Sequence, residues 1–493
     1  MTKTTPAPTT TAELDQILAR AAAASISWAE TDIPERALAL RTVADHLDQA
    51  AEELIGVAHE ETHLPLARLR GELKRTTFQL RLFGDVVEEG SFLDARIDHA
   101  DPSWGMGPRP EIRRGLEPIG PVLVFSASNF PFAFSVAGGD TASALAAGCP
   151  VIVKAHSGHP RLSLLTADIV TGALADAGTP AGLFAVIFGT AQGRAALLDP
   201  RVKASSFTGS IPGGRALFDL ANSRPEPIPF YGELGSFNPT FVTRSAARMR
   251  GGQIVTDFVD SFTAGAGQFC TKPGILLVPA DSDIPSGLAA ASLPEATALL
   301  NDRIQAGYVD SLAALTAHPD VNPVVMGPAA YENPPAPTLV QTTAAHVLAD
   351  PDALLTECFG PAALVVRYDE ESELLEIAAI IDGQLTATVH GEDDDAVAPE
   401  LIRLLARKAG RVLWNQWPTG VSVTYAQQHG GPYPATTAPT STSVGTAAIF
   451  RFLRPVAYQG VPQHLLPRQL QDSNPMQISR RVNGQLSAPG TPA

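Results

Sequence analysis

From Gly120 onward, short runs of apolar residues alternate with longer amphipathic segments, and this alternation limits the fold more than any other feature. In chain order it predicts strands at 121–125, 151–153, 184–188 and 205–207, separated by helices at 133–147, 162–177, 192–198 and 213–221. Strands so short and so apolar are buried on both faces, which requires a parallel sheet with helices on each side. Because such sheets bind ligands at the carboxyl ends of their strands, we expect an α/β nucleotide-binding domain.

The regions on either side of this alternation contain other elements. Helical spacing predicts three helices before it, at 10–24, 34–58 and 65–87. A second set of α/β elements runs from Phe230 to about Trp414. The polar, Pro- and Gly-rich segment 98–110 is interpreted as a hairpin or a loop, and the tail 451–493 is too irregular to be a domain.

Composition and charge argue against several classes of protein. The 493 residues are 45% hydrophobic, enough to bury a large core, and carry 35 Lys plus Arg against 51 Asp plus Glu, a formal charge of −16. Because there is no basic block, we expect no nucleic-acid partner. The uncharged stretch 118–139 contains Pro121, Pro131 and several polar residues, so we interpret it as strand, turn and helix start rather than as a membrane span.

The cysteines and histidines point to a reducing compartment and to no metal site. Cys149, Cys270 and Cys358 are far apart and form no C-x-x-C pair, and the N-terminus has no signal pattern, so cytoplasmic localisation is expected. His156 and His159 are three residues apart but lack a second pair, so no metal is predicted. Any functional cysteine must act singly.

Two residues have a local sequence suited to covalent catalysis. Cys270 lies in A-G-A-G-Q-F-C-T-K-P-G, where small residues let a substrate and backbone N–H groups approach, and Lys272 could lower the pKa of the thiol. The alternative is a buried, inert cysteine. Glu233, in Y-G-E-L-G, could be a general base with a raised pKa, or a solvated turn residue.

Three further segments follow predicted strands. Asn129, in S-N-F-P, could donate to a developing oxyanion or cap a helix. Lys154 ends a strand, where it could bind a ribose or a phosphate, or extend into solvent. The F-T-G-S segment at 207–210 would aim helix N–H groups at an anion. Neither G-x-G-x-x-G nor G-x-S-x-G follows these strands, so the residues alone leave a dinucleotide site open.

Together and in this order, the segments resemble the aldehyde dehydrogenase superfamily over nearly the whole chain. Six segments carry the resemblance. In the first half of the chain, S-N-F-P at 128–131 resembles the family motif W-N-F-P, V-K-A-H-S at 153–157 resembles V-L-K-P-S-E, and F-T-G-S at 207–210 is identical to a family motif. Further along, E-L-G at 233–235 resembles E-L-G-G, G-Q-F-C at 267–270 matches G-Q-x-C, and E-C-F-G-P at 357–361 resembles E-I-F-G-P. The missing G-x-G-x-x-G is typical of this superfamily.

The resemblance implies an NAD(P)-dependent enzyme that oxidises an aldehyde to a carboxylic acid through a cysteine thiohemiacetal and a thioester. It assigns Cys270 as the nucleophile, Glu233 as the general base and Asn129 as the oxyanion donor. The cofactor-binding residues that it implies are Lys154, Ser157, Gly209, Ser210, Glu357 and Phe359.

Ser157 bears on the choice of cofactor. NAD-preferring members of the superfamily carry an acidic residue here, whose carboxylate would repel a 2′-phosphate, whereas a hydroxyl can donate to one. NADP is therefore expected, with NAD as the alternative and Arg194 as a partner of the phosphate.

A narrower resemblance concerns the substrate. The K-A-H-S-G-H-P run at 154–160 and the segment 451–459 are similar to those of the 2-oxoglutarate semialdehyde (2,5-dioxopentanoate or 2,5-dioxovalerate) dehydrogenases. This implies oxidation of that semialdehyde to 2-oxoglutarate. The alternatives are a broad-specificity NADP-dependent aldehyde dehydrogenase, a CoA-acylating dehydrogenase, a cysteine hydrolase and a catalytically silent binding protein. An apolar aldehyde tunnel is expected to be lined by Phe130, Phe132, Phe134 and Trp417.

The resemblance also divides the chain. It implies two Rossmann-like parallel-sheet domains: a cofactor-binding domain of residues 1–98 and 117–229, and a catalytic domain of residues 230–430. Residues 99–116 and 431–493 would form oligomerisation and tail elements, and a homodimer or homotetramer is expected.

Overall fold

The computed structural model describes residues 5–493. Its helices are α1 (Thr11–Glu30), α2 (Ile33–Gln49), α3 (Ala51–Thr62), α4 (Leu66–Glu89), α5 (Gly139–Ala147), α6 (Pro160–Asp176), α7 (Thr190–Leu198), α8 (Ile211–Asn222), α9 (Arg244–Thr263), α10 (Ile284–Ala289), α11 (Asp302–Thr316), α12 (Ala344–Ala349), α13 (Pro351–Leu354), α14 (Glu371–Ile380) and α15 (Ala398–Leu405). Its strands are β1 (Arg96–Asp98), β2 (Ile112–Pro118), β3 (Val122–Phe125), β4 (Val151–Lys154), β5 (Phe184–Ile187), β6 (Ala204–Thr208), β7 (Phe230–Glu233), β8 (Pro239–Val242), β9 (Ile275–Pro279), β10 (Asn322–Val325), β11 (Thr338–Thr343), β12 (Ala362–Tyr368), β13 (Gln384–His390), β14 (Ala409–Trp414), β15 (Leu453–Gln459), β16 (Arg480–Val482) and β17 (Gln485–Ser487).

The alternation that begins at Gly120 folds into a five-stranded parallel sheet of order β5-β4-β3-β6-β7. Successive side chains of the central strand β3 point to opposite faces. Val122 and Val124 face a core formed with helices α2 to α6, whereas Leu123 and Phe125 face a second core formed with α1 and α7. The predicted parallel sheet with helices on both faces is therefore confirmed.

The helix predicted from Ala133 begins only at Gly139, after a series of turns and bends at 128–138. Phe132 and Ala133 donate their backbone N–H groups to the Glu72 carboxylate of α4, at 2.8 and 2.9 Å. These hydrogen bonds hold the turn after β3 against α4.

A second sheet has seven strands in the order β10-β11-β12-β9-β8-β13-β14. Its pairings are parallel except for the antiparallel pairing of β10 with β11. The α/β pattern predicted after Phe230 is confirmed, and the central strands β8 and β9 lie on either side of the α9 excursion that carries Cys270.

A third sheet, of order β15-β2-β1-β16-β17, joins the excursion near residue 98 to the tail. Strand β2 pairs antiparallel with β15 from Ile112 to Pro118, and β1 pairs parallel with β16. The tail thus supplies three of the five strands, which its irregular composition hid because these strands are short and largely exposed. The division of the chain into cofactor-binding, catalytic and oligomerisation parts stays a prediction.

Among residues 5–493, no helix has the length and apolar character needed to cross a membrane. The uncharged stretch 118–139 divides into the end of β2, strand β3, a turn and the first residue of α5, as interpreted from the sequence.

Candidate active site

The connection from α9 to β9 holds Cys270 in a tightly fixed loop. A short 3₁₀ turn follows α9 and ends at Gly267, whose φ is +67°. A Cβ at Gly267 would lie 2.0 Å from the Gly360 carbonyl oxygen, so only glycine fits there. The Asn238 side-chain amide donates to the Cys270 carbonyl oxygen at 2.9 Å. The backbone of the candidate nucleophile is therefore anchored on both sides.

Cys270 and Glu233, separated by more than thirty residues, meet through a histidine. The Nε2 atom of His429 lies 3.5 Å from Cys270 Sγ and 2.9 Å from Glu233 Oε1. Glu233 is the last residue of β7 and is 3% exposed, and the His429 side chain is fully buried. A thiol, an imidazole and a carboxylate in contact can pass protons among themselves, which is what a nucleophilic cysteine requires.

His429 is the functional residue that sequence reasoning missed, since no signal placed a histidine near a cysteine 159 residues away. Its backbone N–H donates to Thr442 Oγ1 at 2.8 Å. The Ser443 hydroxyl contacts the Glu233 carboxylate and lies 3.2 Å from the His429 carbonyl oxygen. The local hint is the run Q-H-G-G-P-Y-P, in which the histidine precedes two glycines.

The pKa shifts of the acid and the thiol run in opposite directions. Burial acts to raise the pKa of Glu233, but the charge of His429 and hydrogen bonds from His429 and Ser443 outweigh it, so the net pKa is lowered. The raised pKa expected for Glu233 is therefore contradicted. Burial, followed by the charges of Glu233 and Glu357, raises the pKa of the Cys270 thiol well above its usual value. Such a thiol needs a base in contact with it, and His429 is placed to be that base.

Lys272 does not lower the pKa of the Cys270 thiol, contrary to the sequence-based expectation. Its buried ammonium donates to three backbone carbonyls, those of Cys358, Gly360 and Ala362. The lysine instead ties the cysteine loop to the segment that carries Glu357, and burial raises the pKa of Glu357 to about 7.

Asn129 lies in the turn that follows β3. Its Nδ2 atom donates to the Gln268 carbonyl oxygen at 3.0 Å, two residues before Cys270. Its own carbonyl oxygen accepts from Arg68 at 2.7 Å. The structure thus brings the expected oxyanion donor to the nucleophile loop, and the second hydrogen of the amide is available to a ligand.

The residues expected to bind the adenosine side of the cofactor gather at one edge of the first sheet. Lys154 ends β4 and is half-buried, and Ser157 is exposed three residues later. A Cβ at Gly193 on α7 would lie 2.9 Å from Lys154 Cγ, so helix and lysine approach closely. The adjacent Arg194 is exposed. A lysine, a hydroxyl and an arginine at a strand edge suit a phosphorylated ribose.

The residues expected on the nicotinamide side come from two segments, one directly after β6 and one shortly before β12. Gly209 and Ser210 are exposed beyond β6, and the Ser210 hydroxyl caps α8. A Cβ at Gly235 would lie 2.3 Å from Glu357 Oε2, so the glutamate lies against the chain after β7. Phe359 is half-buried two residues further on. An exposed glycine before a helix N-terminus fits an anionic dinucleotide, and the residues present suit such a cofactor.

A cavity of about 270 Å³ ends at Cys270. Its aromatic lining consists of Phe130, Phe134 and Phe269, which agrees with the apolar tunnel expected from the first two. The other two expected members are elsewhere. Phe132 is buried in the core beside α4, and Trp417 packs against His390 with tilted rings whose centroids are 4.6 Å apart.

The same cavity is lined by two arginines of α4, Arg68 and Arg75, which spacing alone did not identify. Arg451, in the tail of the chain, is paired with Asp140 at 2.6 Å. The cavity therefore combines apolar walls with cationic groups.

The side chains of Glu233, Cys270 and His429 also form a donor set for a metal, because one ligand atom of each lies within 4.8 Å of the others. Histidine spacing in the sequence could not reveal this cluster, since its members come from three segments. The expectation that the protein uses no metal stays a prediction.

A thiol, a histidine and a carboxylate in contact, in a fold built on two largely parallel sheets, suit a cysteine-dependent α/β enzyme. Comparison with known proteins gives the family: residues 2–286 match the model described as the aldehyde dehydrogenase family. The chain belongs to the aldehyde dehydrogenase family, whose members oxidise aldehydes with NAD or NADP.

Two similar relatives have printed names that specify a substrate. The chain is 47% identical over 457 residues to alpha-ketoglutaric semialdehyde dehydrogenase 2 of Azospirillum brasilense, covering 91% of this chain and 87% of the relative. It is 43% identical over 490 residues to alpha-ketoglutaric semialdehyde dehydrogenase of Acinetobacter baylyi, covering 96% and 91%.

Solved structures support the fold. The succinic semialdehyde dehydrogenase of Streptococcus pyogenes, in complex with NADP⁺, superposes with a TM-score of 0.76 at 19% identity, covering 93% of this chain and 97% of that one. Aldehyde dehydrogenase 21 of Physcomitrella patens, in complex with the reaction product succinate, gives a TM-score of 0.76 at 21% identity, covering 92% and 91%. The aldehyde dehydrogenase fold predicted from the motifs is confirmed.

Proposed function

We propose that this chain oxidises 2-oxoglutarate semialdehyde to 2-oxoglutarate, with NADP as the electron acceptor. The observation that carries the proposal is the contact of Cys270 and Glu233 with one nitrogen of His429, at 3.5 and 2.9 Å, where the cavity ends. The printed names of the two relatives at 47% and 43% identity support the choice of substrate.

In the first step, the Cys270 thiol gives its proton to the buried pair of His429 and Glu233, in which His429 Nε2 contacts both groups, and the thiolate attacks the aldehyde carbon. The electron pair of the carbonyl bond moves to oxygen, which becomes the oxyanion of a thiohemiacetal. The Asn129 amide and the Cys270 backbone N–H are the proposed donors to this oxyanion. Donors of this kind stabilise the transition state because the charge develops where they already point.

The second half of the reaction releases the acid. When bound, NADP supplies a two-electron acceptor, so that loss of hydride converts the thiohemiacetal into a thioester. Glu233, ionised because its pKa is lowered, takes a proton from water. The hydroxide adds to the thioester carbon and the C–S bond breaks, which frees the Cys270 thiolate. In total, aldehyde, NADP⁺ and water give carboxylate, NADPH and two protons.

The preference for NADP over NAD rests on three side chains. Ser157 offers a hydroxyl where a carboxylate would repel a 2′-phosphate, and Lys154 and Arg194 add positive charge at the same sheet edge. These residues are proposed to bind the adenosine ribose and its phosphate.

The first alternative is a broad-specificity NADP-dependent aldehyde dehydrogenase, which the aromatic lining of the cavity favours. A CoA-acylating enzyme is less well supported, because thiol transfer has no use for a base such as Glu233. Initial rates against 2-oxoglutarate semialdehyde, pentanal and benzaldehyde, each with NADP and with NAD, test these functions. The highest kcat/KM is expected for the semialdehyde with NADP, and a preference for pentanal or benzaldehyde would favour the first alternative.

We also infer the assembly and location of the enzyme. The exposed strands of the third sheet, formed by residues from 96–118 and the tail, are proposed as the oligomerisation element of a homodimer or homotetramer. Cytoplasmic localisation is proposed from the isolated cysteines. Light scattering on the purified chain distinguishes a monomer from the expected assemblies.

A further inference from the structure

Two arginines of α4 line the cavity, and the proposed mechanism gives neither of them a role. Arg68 and Arg75 are seven residues apart, two helical turns, so they share one face of the helix. Both line the cavity that ends at Cys270.

One nitrogen of the Arg75 guanidinium forms a hydrogen bond, and the other two nitrogens have no hydrogen-bond partner. Its Nε donates to the Val421 carbonyl oxygen at 3.3 Å, whereas Nη1 and Nη2 are buried without a hydrogen-bond partner. Arg68 donates Nη2 to the Asn129 carbonyl oxygen at 2.7 Å, and its Nε and Nη1 are buried without a partner. Buried charged donors left unpaired cost several kcal/mol in general, so a site that retains two of them indicates a missing acceptor.

Within the part of the chain that the structure describes, neither arginine forms an ion pair. Glu72 lies between them on the same helix and also lines the cavity. Its Oε1 accepts from the backbone N–H groups of Phe132 and Ala133, and its Oε2 is buried without a hydrogen-bond partner. Burial raises the pKa of Glu72, which weakens it further as a counter-ion. The lining of the cavity therefore contains two guanidinium groups and one carboxyl group, a positive balance in a chain with a formal charge of −16.

Aromatic rings keep the guanidinium groups in place. Arg68 lies over Phe130 and Phe269, 5.1 and 4.7 Å from the ring centroids, and Arg75 lies 5.4 Å from the centroid of Phe134. Contacts with ring faces orient an arginine without using its hydrogen bonds.

We propose that Arg75, assisted by Arg68, binds a carboxylate at the end of the substrate remote from the aldehyde. The two Nη atoms of Arg75 form the fork that pairs bidentately with a carboxylate. The cavity of about 270 Å³ is at the small end of ligand sites, typically about 300–1,000 Å³, so it suits a short ω-carboxy aldehyde rather than a long-chain one. This proposal rests on the proposed function and extends it to the residues that select the substrate.

The arginines would reject uncharged aldehydes as well as attract anionic ones. An aldehyde with a methyl end leaves the buried guanidinium groups unpaired, and sites built around such groups discriminate strongly against substrates that lack the partner. Specificity would therefore appear as a difference between two aldehydes of equal length.

The test compares succinate semialdehyde and 2-oxoglutarate semialdehyde with butanal and pentanal, using Arg75→Met, Arg75→Lys and a matched control. The control is Arg70→Met, because Arg70 is exposed on the same helix and pairs outward with Glu52 at 2.9 Å. Because the charge of Arg75 also acts to lower the pKa of Cys270, Arg75→Met can slow every aldehyde, but its kcat/KM for the semialdehydes is expected to fall about 100-fold more than its kcat/KM for pentanal. Arg75→Lys should fall between, and Arg70→Met should match the wild type. Equal losses on both kinds of aldehyde, or no loss on either, would overturn the proposal.

A binding measurement separates this proposal from the proposed function. Pentanoate and pentanamide have equal length and no aldehyde, so their dissociation constants, measured by calorimetry, do not depend on turnover. Pentanoate is expected to bind more tightly than pentanamide to the wild type, and Arg75→Met should abolish the difference. If the wild type shows that difference but does not oxidise 2-oxoglutarate semialdehyde, the proposed function fails and the anion site stands. If it oxidises the semialdehyde but Arg75→Met binds pentanoate as tightly as the wild type, the anion site fails.

Discussion

The cofactor side and the catalytic side of this site are built in different ways. On the cofactor side, Ser157, Gly209 and Ser210 are exposed and follow directly from the ends of β4 and β6. On the catalytic side, Cys270 meets a buried histidine 159 residues away. An exposed residue can be exchanged without disturbing its neighbours, whereas buried groups that share protons and hydrogen bonds act as one unit. Substitutions on the catalytic side should therefore have the larger effects.

The largest effect is expected from Cys270→Ala. Without the thiolate no thiohemiacetal forms, so reduction of NADP by 2-oxoglutarate semialdehyde should fall to background. Absorbance of the reduced cofactor measures this, and retained NADP binding shows that the cofactor side is unaffected. Substantial residual turnover would remove Cys270 as the nucleophile.

Glu233→Gln should separate the two halves of the reaction. Hydride loss does not need the carboxylate, so a burst of NADPH should persist, while steady-state turnover falls about 10²–10³-fold because water is no longer activated. Stopped-flow absorbance resolves the two phases. Glu226→Gln is the matched control, since Glu226 is exposed and pairs with the partly exposed Lys203. Unchanged steady-state rates would exclude Glu233 as the base.

His429→Gln tests the link between the thiol and the carboxylate. Burial already raises the pKa of Cys270, and loss of the imidazole removes the group in contact with the thiol through which its proton can leave. Alkylation by iodoacetamide should therefore require more alkaline pH, and the NADPH burst at neutral pH should slow about 100-fold. His464→Gln, at an exposed position, is the control. An unshifted alkylation profile would show that the contact is only structural.

The smallest effect is expected on the cofactor side. Ser157→Glu places a carboxylate where the 2′-phosphate is proposed to bind, so KM for NADP should rise about tenfold or more while KM for NAD changes little. Ser157→Ala, which removes the hydroxyl without adding charge, should change KM only slightly. Equal changes for both dinucleotides would mean that Ser157 does not face the phosphate.

The features that could be predicted from the sequence are those determined by neighbouring residues in the chain. The strands around β3, the parallel sheets and the positions of Glu233 and Cys270 at loops near strand ends all follow from patterns within a few residues. The helix expected from Ala133 starts only at Gly139, and the turn before it is held against α4 by the Glu72 carboxylate. No local pattern records such a contact.

The rest of the candidate site depends on contacts between distant segments. His429 reaches Glu233 because Leu234 and Ala435 share a backbone hydrogen bond of 2.8 Å, and nothing in the composition of either segment predicts it. The contact with His429 contributes to the lowered pKa of Glu233, whereas the sequence had suggested a raised pKa. Lys272 was misjudged for the same reason, since its carbonyl partners lie more than eighty residues away.

Lys272 also gives the enzyme a built-in chemical reporter. The chain has only six lysines, and this one is buried with its amine occupied by carbonyls of the segment around Glu357. An acylating reagent can reach that amine only when the segment detaches from the cysteine loop. The rate at which Lys272 is labelled, relative to the exposed Lys74, therefore measures how often the two halves of the site separate. Mass spectrometry of the labelled protein, with and without NADP, would measure how often these hydrogen bonds break.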